Sequence, residues 1–287
     1  MPSHEQSRIV RVGAVMGRVI QMKLNYERSC RCLRHLVDKR KMNTNSDIQA
    51  LDLPTVYHAI ALREYRDAFT HAQAVAADEG AGTLVWVRRF DTIEFAVVLE
   101  PEQKLSQARC ALYAGMNAAA DALGTYCPPE KPIEFAWPDT IMLDGGIIGG
   151  CRLAAAPGAA EDAIPDWLVL GVNLRSVVEV TIDQTFDRGT SLSTEGFEMM
   201  DGNKIIESFS RHLMAAFDGW KAGGFKTLAD RYLARLQVAK SVRRGLDVNG
   251  DLLERRLPDL KQITRQPLTA ALAVPQWLDP ATGEPWM

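Results

Sequence analysis

The feature that most constrains this fold is an almost wholly apolar run, WLVLGVNLRSVVEV, at residues 167–180. Side chains alternate between the two faces of a strand, so a strand this apolar must be buried on both faces. We therefore expect it in the middle of a sheet. Asn173 interrupts the run with an amide that needs hydrogen-bond partners. It is either satisfied by nearby backbone or a candidate binding residue.

Composition places the chain among globular proteins with one large domain, or one large and one small domain. Its 287 residues are 47% hydrophobic and 24% charged, which is enough to bury a sizeable core. Charge is unevenly spread, because residues 1–41 hold ten basic and three acidic side chains of the 33 and 36 in the whole chain. The acidic remainder is not expected to bind nucleic acid.

Residues 1–45 are expected to form a separate basic arm. We interpret the arm as disordered or as an over-extended gene prediction, because the segment that begins at Met42 looks like a natural translation start. An arm that binds nucleic acid or a membrane is the alternative interpretation.

Cysteines, histidines and apolar runs bear on the cell compartment and on metal binding. The five cysteines are odd in number and scattered, which favours neither a disulfide framework nor a zinc site. His58, His71 and His212 lack partners at metal-ligand spacing, so no metal site is predicted from them. No apolar run reaches the roughly 18 residues of a membrane span, and no secretion signal is apparent. We expect a cytoplasmic protein without membrane contacts.

Apolar periodicity predicts an α+β fold: a mixed, mainly antiparallel sheet with packed helices. Helical spacing covers three segments, at residues 59–77, 105–123 and 204–238. The last segment is broken at Gly223-Gly224, and its apolar stripe is interpreted as core, with a homodimer face as the alternative. The main domain is expected to span residues 46–240.

Strand signals occupy the remainder. Two β-rich runs, at Thr83–Val87 and 93–99, predict a hairpin or adjacent strands. Asp144-Gly145 lies between apolar runs and supplies the positive φ that a tight hairpin needs. In residues 241–287, an Asn249-Gly250 turn signal and a Pro-rich end predict a small C-terminal β module with a poorly structured tail.

Three short motifs are candidates for a binding site. Gly149-Gly150 removes two side chains from a strand, which suits close approach by a ligand or by another segment of the chain. Asp139, after Trp137-Pro138, places a carboxylate at a hairpin mouth, where it could hold magnesium, a ureido ring or a hydroxyl, or could merely cap a turn. Arg88-Arg89 ends an apolar strand, so one of the two is expected to face the site and the other solvent.

The order of several segments resembles the catalytic domain of biotin protein ligases, in the superfamily that also holds lipoate ligases and octanoyl transferases. The segments are GAGTLVWV, WPDTIMLDGGIIGG, LVLGVNL, GTSL, FKTLADRYLARL and GLDVNGDLLER. The similarity covers about residues 60–260 in the right order. It implies a ligase-like catalytic domain at residues 46–240, followed by the family's small β module.

The resemblance also implies roles for individual residues. Gly149 and Gly150 would line the biotin or lipoate pocket, with Trp137 and Gly171 as further pocket residues. Asn173 would contact the nucleotide. Arg88 and Arg89 would neutralise the negative charge of the phosphate, and Asp139 would orient a ligand or a metal ion. These three are the predicted catalytic residues.

Two departures from the family pattern bear on the mechanism. The lysine that the family carries directly before Trp-Pro is Ala136 here. The Gly-Arg-rich loop that folds over the acyl-adenylate is missing, since only five residues separate Val87 from Ile93. A lysine from another segment, Lys131 or Lys204, could take the role of the family lysine that is absent at Ala136. Cys151, beside the glycine pair, is a candidate nucleophile for acyl transfer or a small core residue.

The resemblance predicts a ligase that joins biotin, lipoate or octanoate to AMP from ATP with Mg²⁺ and passes the acyl group to a lysine of a carrier-protein domain. An ATP-independent lipoyl or octanoyl transferase is the first alternative, because it would need no adenylate loop. A non-catalytic protein that binds a cofactor or carrier domain is the second. The sequence leaves open the acid, the carrier and the oligomeric state.

Overall fold

A computed structural model describes residues 50–177, 188–197, 201–237, 239, 241–258 and 261–286. Residues from Leu51 onward form one compact unit. The predicted basic arm lies outside the described residues, as do residues 178–180 of the apolar run and position 238 at the end of the third predicted helical segment.

The main sheet has seven strands within the described chain, in the order β1-β2-β3-β7-β6-β5-β4. Only the β1–β2 pair is parallel, so the sheet is mixed and mainly antiparallel, as predicted. The apolar run forms β7, the middle strand, and all eight of its residues are buried. The strands are β1 His58–Leu62, β2 Thr83–Val87, β3 Thr92–Leu99, β4 Ile133–Ala136, β5 Thr140–Leu143, β6 Gly146–Ala155 and β7 Leu168–Arg175.

Helices cover both faces of this sheet. Helix α1, Ala68–Glu79, packs its buried alanines on one face, against Val85, Ala96 and Val169. The opposite face is covered by the larger core cluster, to which the later helices contribute. These are α2 Leu105–Ala108, α3 Ala111–Gly124, α4 Gly202–Gly223 and α5 Phe225–Arg235.

One helix prediction was partly wrong. The pattern at 59–77 predicted a single helix, but His58–Leu62 is a strand that pairs in parallel with Thr83–Val87. The helix begins only after Asp67, whose carboxylate accepts the Thr70 amide hydrogen at 2.5 Å and so caps the first turn. The tertiary pairing with β2 therefore overrides the local helical spacing.

Most other element predictions match the structure, but the segment predicted as one helix at 105–123 forms two, α2 and α3, separated at Arg109 and Cys110. Gly224, with φ at 73°, separates α4 from α5, as the Gly223-Gly224 break predicted. Asp144 and Gly145, at φ 50° and 85°, form the tight turn between β5 and β6. The apolar stripe of α4 is buried at Ile205, Phe209 and Leu213, which supports its interpretation as core.

A second, three-stranded antiparallel sheet follows, in the order β10-β9-β8, with the short helix α6 after it. Its elements are β8 Val242–Leu246, β9 Leu252–Arg256, β10 Ile263–Gln266 and α6 Leu268–Leu272. The expectation of a poorly structured tail was wrong: residues 277–286 fold back on the main sheet and bury Trp277 completely. The reason is a long-range contact that no local pattern in the tail reveals.

Candidate functional site

The candidate site is a row of residues across three strands on the α1 face of the main sheet. Glu94 of β3 pairs in register with Asn173 of β7, and Asn173 pairs with Gly150 of β6. A cleft of about 540 Å³ opens over Glu94 and Asn173 of this row, and it is also lined by Asp67, by Arg89 and by Thr282, Gly283 and Glu284 of the C-terminal tail. The apolar strands thus bring a carboxylate, an amide and a bare glycine backbone to one end of the sheet.

Glu94 is a buried carboxylate that the sequence analysis did not select. Its Oε1 accepts the Ala68 amide hydrogen at 2.7 Å, at the N-terminus of α1. Burial raises the pKa of Glu94 to about 6, and nearby Asp67 adds to the rise, while the Ala68 bond opposes it. The acid between Ile93 and Phe95, in an otherwise apolar strand, was the signal that could have identified it.

The two adjacent arginines point in different directions. Arg89 lies at the cleft, where its Nε and Nη2 donate to the two oxygens of Asp91 at 3.0 and 2.7 Å, and its Nη1 donates to Glu284 at 2.8 Å. These bonds raise the pKa of Arg89. Arg88 is exposed and lies over the Trp86 ring, with Cζ 5.9 Å from the ring centroid. Only Arg89 therefore faces the candidate site.

The glycines differ in what they contact. A Cβ on Gly150 would lie 2.2 Å from the Asp139 carbonyl oxygen and 2.5 Å from the Trp277 ring, so the space over Gly150 is filled by the Asp139 backbone and by the C-terminal tail. A Cβ on Gly149, whose φ is 143°, would meet the Asn173 carbonyl oxygen at 2.0 Å. A Cβ on Gly171 would lie 2.5 Å from the Phe69 ring of α1. Glycine is therefore needed here for the close approach of the helix, and Gly171 does not line the cleft.

Asp139 and Trp137 diverge from the same hairpin mouth. Asp139 is buried beside Trp277; its Oδ1 accepts the Thr140 hydroxyl at 3.2 Å, and its Oδ2 has no partner among the described groups. Burial raises the pKa of Asp139 to about 7, and hydrogen bonding from Thr140 opposes this rise. Trp137 instead donates from Nε1 to the Tyr113 hydroxyl at 3.0 Å, on the side of α3. The structure does not bring Trp137 to the cleft.

Neither displaced lysine reaches the cleft. Lys131 Nζ donates to Asp144 at 2.5 Å and to Glu195 at 2.8 Å, and Lys204 Nζ donates to Glu207 at 2.8 Å. Cys151 is completely buried in the core on the opposite face of the sheet, and burial raises the pKa of its thiol, so it is not an activated nucleophile.

Besides Glu94, three further residues of the candidate site were missed at the sequence level. Arg175, at the end of β7, is buried and donates from Nη2 to the carbonyl oxygen of Pro285. Burial lowers the pKa of Arg175, and the charge of Glu284 opposes that change. Glu284 and Trp277 arrive from the tail. An arginine inside an apolar strand was a usable signal, whereas the tail offered none.

The described residues hold no group of three or more His, Cys, Asp or Glu side chains that could bind a metal ion. Buried Asp139, which is partly neutral near pH 7, is poorly suited to bind Mg²⁺ directly. Within the same residues, no helix is both long and apolar enough to cross a membrane.

Comparison with known proteins agrees with the geometry. A curated biotin–[acetyl-CoA-carboxylase] ligase of Paracoccus denitrificans is 26% identical over 176 residues, or 58% of this chain and 70% of that protein. A biotin protein ligase-like protein of unknown function from Silicibacter is 26% identical, with a TM-score of 0.68 over 77% of this chain and 98% of its own.

The biotin protein ligase of Aquifex aeolicus in complex with biotin and ATP shares the fold at 14% identity, with a TM-score of 0.57 over 73% of this chain and 95% of its own. The model of the biotin/lipoate A/B protein ligase family matches residues 53–234. That match spans β1 to α5 and includes the whole Glu94, Asn173 and Gly150 row. The chain belongs to the biotin/lipoate A/B protein ligase family.

Proposed function

We propose that the protein is a biotin/lipoate-type protein ligase that attaches a carboxylic acid to a lysine of a carrier-protein domain. The observation that carries the proposal is the polar row of Glu94, Asn173 and Gly150 beside Arg89, inside the part of the chain that the family model matches. A curated relative is a ligase that acts with biotin, which supports the same chemistry here.

In the proposed reaction, the acid's carboxylate oxygen attacks the α-phosphorus of ATP, and pyrophosphate leaves. A carrier lysine then attacks the acyl carbon, and AMP leaves. Arg89 lies at the cleft and would meet negative charge in the first step, whereas Arg88 points away from the cleft and would contribute less. Asn173 would orient the nucleotide through its unpartnered Oδ1, and Asp139 would orient the acid.

ATP with Mg²⁺ enters this scheme as substrate. Because the described residues form no metal cluster, the ATP phosphates would supply the ligands of the Mg²⁺ ion. Biotin is the first candidate acid and lipoate or octanoate the next. The carrier partner, a homodimer and a cytoplasmic location remain predictions.

A second candidate, an ATP-independent lipoyl or octanoyl transferase, is favoured by one observation. Ala136 replaces the family lysine, and Lys131 and Lys204 are both paired elsewhere. A transferase takes an acyl group that is already activated as a carrier thioester. It forms no acyl-adenylate, so it needs no lysine to neutralise phosphate charge. Cys151 is too deeply buried to carry the acyl group, so transfer would be direct. A non-catalytic binding protein is the third candidate.

The deciding experiment incubates the protein with ATP and Mg²⁺ and, separately, biotin, lipoate and octanoate, and detects the acyl-adenylate by mass spectrometry. We expect one acid to give an adenylate, and Arg89→Ala to lower its yield roughly a hundredfold because a charged contact is lost. Arg88→Ala is expected to have a smaller effect. Arg255→Ala, an exposed arginine of β9, is the matched control.

Absence of an adenylate with all three acids would contradict the ligase mechanism. The same protein would then be incubated with an octanoyl-carrier thioester and an acceptor domain. Acyl transfer without ATP would support the transferase, whereas no transfer would leave the non-catalytic binding function.

A further inference from the structure

The tail forms a short hairpin that is ordered by its own hydrogen bonds; we call residues 277–286 the C-terminal hairpin. The amide of Trp286 donates to the Trp277 carbonyl at 2.9 Å, and the amide of Asp279 donates to the Glu284 carbonyl at 2.8 Å. The amide of Gly283 closes the turn by donating to the Asp279 carbonyl at 2.8 Å. A segment held by its own bonds loses less conformational entropy when it docks.

In the first contact between the hairpin and the site, the Trp277 ring packs against the backbone at Gly150. The Trp277 side chain is 0% exposed, and its indole lies where a Cβ of Gly150 would be. A glycine inside a strand weakens it unless something approaches closely there. At Gly150 both the Asp139 carbonyl oxygen and the flat Trp277 ring of the chain's own tail approach closely.

In the second contact, the hairpin places acceptor oxygens against two arginines of the site, Arg89 and Arg175. Glu284 Oε1 accepts from Arg89 Nη1 at 2.8 Å, and the neighbouring Pro285 carbonyl accepts from Arg175. The hairpin thus presents an apolar ring to Gly150 and a carboxylate to Arg89. A carboxylic acid with an apolar ring or chain carries the same two features.

The docked hairpin leaves polar atoms at this contact unsatisfied. In the part of the chain that the structure describes, the buried side-chain atoms at this contact that lack a hydrogen-bond partner include Asn173 Oδ1, Arg175 Nε and Glu284 Oε2. Each such atom costs roughly 1–3 kcal/mol. The hairpin is therefore a poorly satisfied occupant, which a ligand with suitable polar groups can replace.

The attachment of the hairpin permits such replacement. Leu268, at the start of α6, is buried, and its amide donates to Asp251 at 2.9 Å, which holds the chain to the second sheet. Between α6 and the hairpin, Val274 is 67% exposed. The hairpin could leave the sheet by motion of residues 273–276 without breaking the anchor at Leu268.

We infer that the C-terminal hairpin is an internal competitor of the acid substrate: Trp277 occupies the position of its apolar body and Glu284 that of its carboxylate. The acid binds only when the hairpin leaves. This inference rests on the proposed function, because it assigns the acid to the same polar row, beside a cleft that the docked hairpin lines with Thr282, Gly283 and Glu284.

The test compares the full chain with a chain that ends at residue 275, using calorimetric titration with biotin, lipoate and octanoate. If only a minor open population binds the acid, removal of the hairpin lowers the dissociation constant by roughly tenfold or more. Equal affinity for an acid in both chains would contradict the inference that the hairpin competes with the acid, but it would not contradict the ligase proposal. Binding of none of the acids to either chain would overturn both.

Full-length variants keep the test valid if the shortened chain fails to fold. Glu284→Gln and Trp277→Ala are expected to bind the acid more tightly than the parent chain, and Val274→Ala, exposed and outside the hairpin, should match the parent. At saturating acid, acrylamide quenching of tryptophan fluorescence should increase, and this increase should be smaller in Trp277→Phe, in which only Trp286 of the hairpin remains. Acid binding without any increase in the parent chain would overturn the inference.

Discussion

Two buried carboxyl groups lie on the same face of the sheet, and both are harder to ionise than usual. The pKa of Glu94 is raised to about 6 and that of Asp139 to about 7, chiefly by burial. A neutral carboxyl group can donate a hydrogen bond as well as accept one. Near neutral pH, the site therefore has two groups whose hydrogen-bonding role depends on pH.

The Glu94→Gln variant should change how stability depends on pH. The folded pKa of Glu94, about 6, lies above its usual 4.5, so its favourable contribution is complete below pH 4.5 and is lost as pH rises through 6. Asp67 also faces Glu94 and disfavours its charge, whereas Arg152 and Arg89 favour it. Glutamine keeps the acceptor for the Ala68 amide and stays neutral.

We expect Glu94→Gln to be more stable than the parent by about 1–2 kcal/mol at pH 8 and nearly equal to it at pH 4.5. Urea denaturation at both pH values measures this difference, with exposed Glu102→Gln as the matched control. A difference that is the same at both pH values would show that the carboxyl group does not titrate as described.

At the scale of single residues, the sequence could predict part of the site. Asn173 and Gly150 were found because an amide and a glycine pair interrupt apolar strands. Trp277 and Glu284 could not be found, because the tail reaches Arg89 across 195 positions of the sequence. Local spacing contains no information about a contact of that range.

At the scale of elements, burial patterns predicted most of the sheet. The central strand and the Asp144-Gly145 hairpin followed from apolar runs and from turn chemistry, both of which are local. The prediction of one helix at 59–77 was partly wrong because the apolar residues of β1 and of the start of α1 continue the same helical spacing. Only the parallel pairing with β2, of Ala59 with Leu84 and of Ile60 with Val85, shows that the first part is a strand. Asp67, a strong helix-capping residue, was the sequence signal for the boundary.

The cap at Asp67 is expected to set the stability of α1. Its carboxylate accepts the Thr70 amide hydrogen and lies 3.3 Å from Arg152. Asp67→Ala removes the cap and should destabilise the protein by about 1 kcal/mol. Asp67→Asn keeps the acceptor and loses only the partly exposed charge pair, so it should cost less. Urea denaturation compares them.

Exposed Asp78→Ala, in the last turn of the same helix, is the control for a loss of charge on α1. If Asp67→Asn and Asp67→Ala destabilise the protein equally, the charge of Asp67 matters and its cap does not. The ligand cleft is lined by the same residue, so acid binding should be measured on both variants at a temperature where each is folded.

At the scale of the whole molecule, α3 ties the second sheet to the first. The Tyr113 hydroxyl donates to the Gly250 carbonyl at 2.5 Å and accepts from Trp137 Nε1 at 3.0 Å, so one oxygen bridges the turn of the second sheet and the hairpin mouth of the first. Leu252 and Leu268 belong to the large core cluster. Although a boundary near residue 240 remains a prediction, these contacts favour cooperative unfolding.

The Tyr113 hydroxyl, which bridges the two sheets, is expected to contribute measurably to stability. Tyr113→Phe leaves the Gly250 carbonyl and the Trp137 indole nitrogen without their shared partner, and we expect it to cost about 1–3 kcal/mol because the buried Gly250 bond is lost. Tyr57→Phe is the matched control, since its hydroxyl makes a single 3.1 Å bond to Ser210 in a half-buried position. Circular dichroism and tryptophan fluorescence should give one coincident urea transition in both variants, because the apolar contacts of Leu252 and Leu268 remain. Two separate transitions in Tyr113→Phe would show that the hydroxyl, and not the shared core, couples the two sheets.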